Sequence, residues 1–510
     1  MKITTAQIKP KIGDLNHNAE KILDFYARAK GEVVLFPELS LCGYTPRDLL
    51  FYPEFLRACE KKLMEIAKNI GEKICVVGLP LMENGKLYNC MVAVKNGVVI
   101  GKSQKKHLAK GEVFDEDRYF TSGETGVFTH KGVKFGLPIC EDIWHQDVCR
   151  DLKNQGVDFL LVGNASPFYV GKFNERITTA KKRFDEVGLP IVYCNQVLNQ
   201  DGVLFDGGSF YYNNGVIKKL PEFAECLLEI DLAEKTEKIV EIEQMTLRHK
   251  ALVFGLKEYI LNSGFQKVAI GISGGADSAL VAHLAVQAFG NENVLGVFMP
   301  SKITSSESFD DAKKLCENLK IEVRIVAIQK FVDEFQETLN LSGIALENIQ
   351  ARVRGNILMA ISNQENSMVL TTGNKSEVAT GYCTLYGDMC GAYNPIKDLY
   401  KTQVFEIMKW INKNYDEKIP ENIITKEPTA ELRENQKDSD SLPDYEILDN
   451  ILYELIENKK MPSEIQEFKK DIVEKVYKLL QGSEYKRSQA AIGTKISKRS
   501  FEKKEWRVNL

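Results

Sequence analysis

The chain has 510 residues, too many for one ordinary hydrophobic core, so two or more domains are expected. It is 44% hydrophobic and 27% charged, the composition of a soluble globular protein, and its net charge of -4 argues against a nucleic-acid binder. There is no signal-peptide pattern, no apolar run of membrane-spanning length and no C-x-x-C pair among the 11 cysteines, so no membrane partner and a reducing, cytoplasmic setting are expected.

The first half alternates short β-rich runs with amphipathic helices. The runs are "KITTAQI", "EVVLFPEL", "KICVVGLP", "VKFGLPIC", "DFLLVGNA" and "LPIVYCNQV". A helix between the first two carries Ala19, Ile22, Leu23, Tyr26 and Ala27 on one face. A second helix follows Pro53, with Phe55, Leu56, Cys59, Leu63, Ile66 and Ile70 as its stripe. Hairpins are predicted at Asn96-Gly97 and near Asn214-Gly215. This mixture points to a layered α/β sandwich.

After Leu220 a Glu- and Lys-rich stretch reads as a connecting strand and helix. From Val268 a β-loop-α series begins, with strands in "VAIGI", "VLGVFMP", "EVRIVAI" and "SMVLTTG". Strands alternating with helices predict a parallel, doubly wound sheet. The expected domains are residues 1–245 and 246–510. The stretch "KEPTAELRENQKDSDSLPDY" reads as a surface loop. The basic end reads by composition as a solvated tail, with a strap over phosphates as the functional alternative.

Three weak signals in the first half gain weight together. Cys140 stands just past a strand and before a helix, where a thiol's pKa is expected to fall. Glu38 ends a strand after Pro37. Lys105 and Lys106 end a hairpin strand. A thiol, a base and a cation thus collect at strand ends. In the second half, "SGGADS" follows a strand and opens a helix. Its exposed N–H groups suit an anion, yet it lacks the lysine of a Walker A loop.

The order F-P-E, K-x-x-L, C-E-D resembles the nitrilase, or carbon–nitrogen hydrolase, superfamily. The strings "VFDEDRYF", "GLPICEDIW", "NASPF", "NQV" and "FDGGS" resemble the glutamine amidotransferase domain of the glutamine-dependent NAD synthetase family. The resemblance implies an αββα nitrilase-like sandwich. Glu38 would be the general base, Lys105 the oxyanion stabiliser and Cys140 the nucleophile, with Ser166 and Lys172 holding glutamine. Lys105 is preferred to Lys106 for its spacing to Leu108. One departure stands out: family members carry L-P-x-Y where this chain reads "LAKG", so Gly111 replaces a tyrosine that would contact glutamine.

"SGGADS" is similar to the loop of ATP pyrophosphatases, the PP-loop. The resemblance extends through "ENIQARVRGNILM", "TTGNKSEVATGYCTLYGD", "KDLYKTQV", "KEPTAEL" and "SEYKRSQ" to the family's synthetase domain, of the adenine nucleotide alpha hydrolase-like fold. Carried over, Gly271, Ile272, Ser273, Gly274, Gly275, Ala276, Asp277, Ser278, Thr372, Lys401 and Thr429 would bind ATP. Asp277 and Glu377 would hold Mg²⁺. Asn348, Arg352, Glu377, Tyr382, Cys383, Thr384, Leu385 and Lys486 would surround deamido-NAD. Where relatives favour a Pro-Pro pair after Gln489, this chain reads "AAIGTKIS".

The implied activity is ATP-dependent amidation of deamido-NAD to NAD, through an adenylated intermediate. Glutamine hydrolysis would supply the ammonia through a closed passage, in a homo-oligomer. Three rivals are weighed. A GMP synthetase would need a Cys-His-Glu glutaminase, and an asparagine synthetase a Cys where Lys2 stands. An RNA-thiolating PP-loop enzyme could use Cys383 and Cys390 but needs a basic surface. A first half kept as an oligomerisation scaffold is favoured by Gly111 and opposed by Glu38, Lys105 and Cys140.

Overall fold

The structure, a computed structural model, describes residues 1–111, 113–232, 242–416, 418–429, 431–433 and 436–501. They form two compact units, Met1–Ile242 and Glu243–Leu510.

The first unit stacks two six-stranded sheets. One runs in the order Cys226–Asp231, Lys2–Gln7, Val33–Leu35, Ile74–Glu83, Lys86–Lys95, Val98–Gln104. The other runs Val216–Lys219, Phe210–Tyr212, Ile191–Asn195, Phe159–Asn164, Val133–Gly136, Val127–His130. Alternation along the strands sends Ile3, Val33, Leu35, Ile74 and Val76 into the space between the sheets, against Phe135, Leu161 and Val192. Ala6, Val34, Cys75 and Val77 face the other way, onto the helices Leu15–Arg28 and Pro53–Ala67. Val148, Leu152, Ala180 and Val187 of the helices Gln146–Asn154 and Lys172–Val187 cover the second sheet. The layers are therefore αββα. In the first helix Phe25 is buried and Ala27 exposed, so the buried stripe is turned slightly from the expected one.

The hairpin at Asn96-Gly97 has positive φ at both residues, 48° and 78°, which an Asn-Gly pair tolerates best. Asn84-Gly85 and Asp201-Gly202 make further hairpins of the same hand.

In the second unit the strands Val268–Gly271, Val294–Phe298, Glu322–Ile325, Met368–Leu370, Tyr393–Asn394 and Ile492–Gly493 form one parallel sheet. Numbered by appearance, their spatial order is 3-2-1-4-5-6. The winding reverses between Val268–Gly271 and Met368–Leu370, and open α/β sheets bind ligands beyond the carboxyl ends of such strands. Those ends lead directly into residues 272–278 and 371–377. Val332, Val353 and Leu358 of the helices Gln329–Leu339 and Ile344–Glu365 pack on Leu295, Val297 and Val369 of the sheet. Ala276–Phe289 is buried along nearly its whole length beside Gln244–Asn262.

The described part of the basic end, residues 486–501, is no solvated tail, and the rest of that stretch lies outside the described residues. Ile492–Gly493 is the edge strand of the sheet, and Thr494, Lys495 and Ile496 are buried. The backbone N–H groups of Ile496 and Ser497 donate to Asp398 Oδ2 at 2.8 and 2.7 Å. Composition missed this because the anchors are buried acids far away in sequence. Among its described residues the "KEPT…PDY" stretch is exposed or half-buried, as expected of a surface loop, except for Asp438 and Leu442, which are buried.

Among the described residues, no helix is long and apolar enough to cross a membrane. All 11 cysteines are free.

Candidate active sites

In the first unit three strand ends converge. Glu38 lies just past Val33–Leu35, Lys105 follows Val98–Gln104, and Cys140 opens the short 3-10 turn Cys140–Trp144. Cys140 has φ 45°, a left-handed conformation that costs a non-glycine residue energy and marks functional bends. Lys105 Nζ donates to Glu38 Oε1 at 2.7 Å and pairs with Glu116 Oε2 at 2.7 Å. Glu38 Oε1 also accepts from Asn89 Nδ2 at 2.7 Å, and Oε2 from the Ala165 N–H at 3.0 Å. Tyr44 donates to Glu116 Oε1 at 3.1 Å. Glu38 and Lys105 are 0% and 1% exposed, so this charge set is closed to bulk water.

The thiol's proton balance differs from the sequence-based expectation. Burial, then the charge of Glu38, push the Cys140 thiol well above its ordinary range, with Lys105 pulling the other way. The turn after Cys140 is five residues of 3-10 geometry, and its dipole does not offset desolvation. The thiol therefore rests protonated and needs a base. Burial opposes the charge on Lys105, but Glu116 and Glu38 outweigh it and hold the ammonium well above its usual range.

Ser166 accepts from Arg176 Nε at 3.0 Å, and Arg176 is clamped on Asp206 at 2.8 and 3.1 Å. Lys172 Nζ lies 4.4 Å from the ring centre of Trp144, which belongs to the Cys140 turn, and 5.2 Å from that of Tyr169. Burial, then Arg176, pull its pKa down. Lys106 instead pairs with Asp147 and Asp151 at 2.9 Å each. Gly111 has φ 78°, and a Cβ there would meet open space. The positive φ favours glycine here over any residue with a side chain.

Sequence reasoning overlooked Glu116, Asn89 and Asp142. Glu116 lay inside "VFDEDRYF", a string used only for resemblance. Asp142 Oδ1 accepts the N–H groups of Lys106 and His107 at 3.1 and 2.8 Å, and Oδ2 that of Ile139 at 3.0 Å. Burial pushes its pKa up to about 6.

In the second unit, Ile272 N–H donates to Val297 O at 3.0 Å as the strand ending at Gly271 gives way to the loop. Ser273 Oγ accepts from the Gly275 N–H at 3.1 Å and lies 3.1 Å from Ser278 Oγ. Gly274 has φ 78°, and a Cβ there would stand 2.3 Å from Ser308 O. Ala276, Asp277 and Ser278 form the first turn of the helix Ala276–Phe289. Asp277 pairs with Lys401 and accepts from Asn374 Nδ2 at 3.1 Å. Lys401 Nζ is also 3.7 Å from Glu377 Oε1. Asn374 caps the helix Lys375–Thr380, accepting the Glu377 N–H at 3.0 Å, just after Thr372. Burial, then the charge of Asp277, raise the Glu377 carboxyl well above its ordinary range. Two close carboxylates that repel each other are a hard-oxygen donor pair, which fits Mg²⁺ together with phosphates.

Thr429 Oγ1 donates to Gln436 O at 2.6 Å and accepts from the Glu431 N–H at 3.2 Å. Glu431 Oε1 accepts from Ser305 and Ser308 Oγ, each at 2.8 Å, so this loop reaches the backbone that crowds Gly274. The remaining predicted residues gather around a turn at 381–388. Thr384 Oγ1 donates to Asn348 Oδ1 at 2.8 Å, and Arg352 Nε to Leu385 O at 3.2 Å. Lys486 Nζ donates to the carbonyls of Gly381 and Cys383 at 2.7 Å each. Gln436 Nε2 lies 3.5 Å from Tyr382 OH.

A buried thiol beside an acid–lysine–acid group on an αββα sandwich, joined in one chain to an SGGADS loop at a parallel-sheet switch point, defines a two-unit amidotransferase–ligase of the carbon–nitrogen hydrolase and ATP-pyrophosphatase classes. The carbon-nitrogen hydrolase family matches residues 2–238, and the NAD synthase family residues 248–490. The glutamine-dependent NAD(+) synthetase of Acinetobacter baylyi is 41% identical over 98% of this chain and 96% of its own, and that of Aquifex aeolicus 39% identical over 100% and 98%. The solved glutamine-dependent NAD+ synthetase of Acinetobacter baumannii, in complex with ADP, superposes with a TM-score of 0.81 at 38% identity, covering 98% of this chain and 96% of its own. The chain belongs to the glutamine-dependent NAD(+) synthetase family.

Proposed function

We propose that this protein makes NAD from deamido-NAD, ATP and glutamine, releasing AMP, pyrophosphate and glutamate. The observation that carries the reading is that one chain holds both a buried thiol–acid–lysine centre and an SGGADS loop whose Asp277 pairs with Lys401 beside Glu377. Residues 1–245 would perform the glutaminase half and 246–510 the synthetase half.

Glu38 would take the proton of Cys140, which burial keeps on sulfur until substrate arrives. The thiolate would attack the glutamine carboxamide, and Lys105 would stabilise the oxyanion. Ser166 and Lys172 would hold the glutamine. Glu38 would return the proton to the leaving ammonia and then activate water against the thioester. Glu116 would keep Lys105 charged and in place.

In the second unit the loop 271–278, with Thr372, Lys401 and Thr429, would bind ATP and hold its outer two phosphates as one leaving group. That role explains the absent Walker lysine, which serves transfer of the outer phosphate. Asn348, Arg352, Glu377, Tyr382, Cys383, Thr384, Leu385 and Lys486 would seat deamido-NAD so that its carboxylate meets the α-phosphorus. Mg²⁺ held by Asp277 and Glu377 would supply neutralising charge at the phosphates. Ammonia would then displace AMP from the acyl adenylate. We place the reaction in the cytosol, on the 11 free thiols, and in a homo-oligomer, on the family's habit.

The test compares nitrogen donors. Cys140→Ala should abolish NAD formation with glutamine and preserve it with ammonium. Simultaneous loss of both would reject the division of labour.

A further inference from the structure

A group outside both sites has ligand chemistry of its own. His107 follows Lys105 by two residues, and His145 and Asp147 follow Cys140 on the next turn and helix. Their rings stack, with centroids 3.8 Å apart and planes 9° apart. His107 Nε2 lies 3.0 Å from both oxygens of Asp147, and His145 Nε2 lies 3.3 Å from Glu141 Oε1. One donor atom from each of His107, His145 and Asp147 falls within 4.8 Å of the others. The three side chains are 29%, 42% and 47% exposed, so an ion can reach them and the rings can turn.

We propose that His107, His145 and Asp147 form a site for one divalent first-row transition cation such as Zn²⁺ or Co²⁺, with Glu141 available as a fourth ligand. Two imidazoles with one or two carboxylates select such ions over Mg²⁺, which prefers oxygen throughout. Small rotations of the exposed rings would bring the nitrogens to the usual distance of about 2.0–2.1 Å. The obvious competitor is Lys106, whose ammonium sits 2.9 Å from Asp147 Oδ2. It has a second partner in Asp151, also at 2.9 Å, to which it can retire. A bound ion would join the segment after Lys105 to the segment after Cys140.

The test is Co²⁺ titration of the full chain, followed by visible absorption and by equilibrium dialysis. One ion per chain with nitrogen and oxygen ligation is expected, without thiolate charge-transfer bands. H107A, H145A and D147N should each weaken binding by about tenfold or more. Lys106→Ala should tighten it, and Cys140→Ser should leave it unchanged. Unaltered binding in H107A/H145A, loss in Cys140→Ser, or no tightening in Lys106→Ala would each overturn the site. Circular dichroism of each variant separates lost ligation from lost fold.

Discussion

The carboxylate of Asp142 accepts the backbone N–H of His107 at 2.8 Å, although the two belong to segments that lead to different members of the thiol centre. With the bonds from Lys106 and Ile139, one buried acid ties the chain after Lys105 to the turn that begins at Cys140. Asp142→Asn keeps the shape and removes the charge. It should lower glutamine-dependent synthesis by about 10- to 100-fold, the worth of charged hydrogen bonds that set geometry. Ammonium-dependent synthesis should stay within about twofold. Equal loss with both donors would show that Asp142 serves only folding.

Gly274 offers a sharper break in the other unit. Its φ of 78° and the Ser308 carbonyl 2.3 Å from a would-be Cβ leave no room for alanine. Gly274→Ala must shift the loop by a large fraction of an ångström, and misplacement on that scale costs on the order of 100-fold. NAD formation should fall that far with glutamine and with ammonium alike. Near-normal turnover would mean the loop does not seat the phosphates.

The second unit also carries a buried imidazole pair. His249 Nε2 and His283 Nε2 stand 3.3 Å apart, and Tyr415 OH is 3.2 Å from His249 Nδ1. Burial pulls their pKa values down to about 4 and about 3, below the ~6.5 of an unfolded histidine. Between pH 6.5 and those values the unfolded chain binds protons that the folded one refuses, so stability is lost as pH falls. At pH 5 this amounts to about 2 kcal/mol per group. His283→Leu should flatten the fall in Tm between pH 7 and pH 5, and an unchanged slope would clear the pair of acid sensitivity.

Lys375 is fully buried, 2.8 Å from Asp398 and 2.6 Å from Glu457, with Ser497 Oγ and Arg499 O as further acceptors. Lys375→Met would strand two buried carboxylates. A loss of about 3–5 kcal/mol is expected, read as a lower denaturation midpoint. A neutral result would show that water reaches this cluster.

The layering of both units was legible, because burial follows periods the sequence displays. Ile74, Val76 and Cys75, Val77 alternate between two cores, and a strand of that pattern can lie only between two covered faces. That Glu38, Lys105 and Cys140 lie just past strands was legible from residue type and position. What escaped was what depends on distant partners. Glu116 is an ordinary acid until the fold sets it against Lys105. The segment at 492–497 looked solvated because its charges and polar groups gave no hint of Asp398 and Glu457. The lowered thiol pKa was a local inference that enclosure overrode.

Each unit closes its sheet with a late strand. Cys226–Asp231 lies against Lys2–Gln7, and Ile492–Gly493 forms the far edge of the second sheet. During synthesis on the ribosome, the first unit can therefore finish as soon as residue 231 clears the exit channel. The second must wait, with Lys375 and its acids unsealed, until residues near 499 emerge. Nascent chains stalled between those points should show protease resistance in the first unit only.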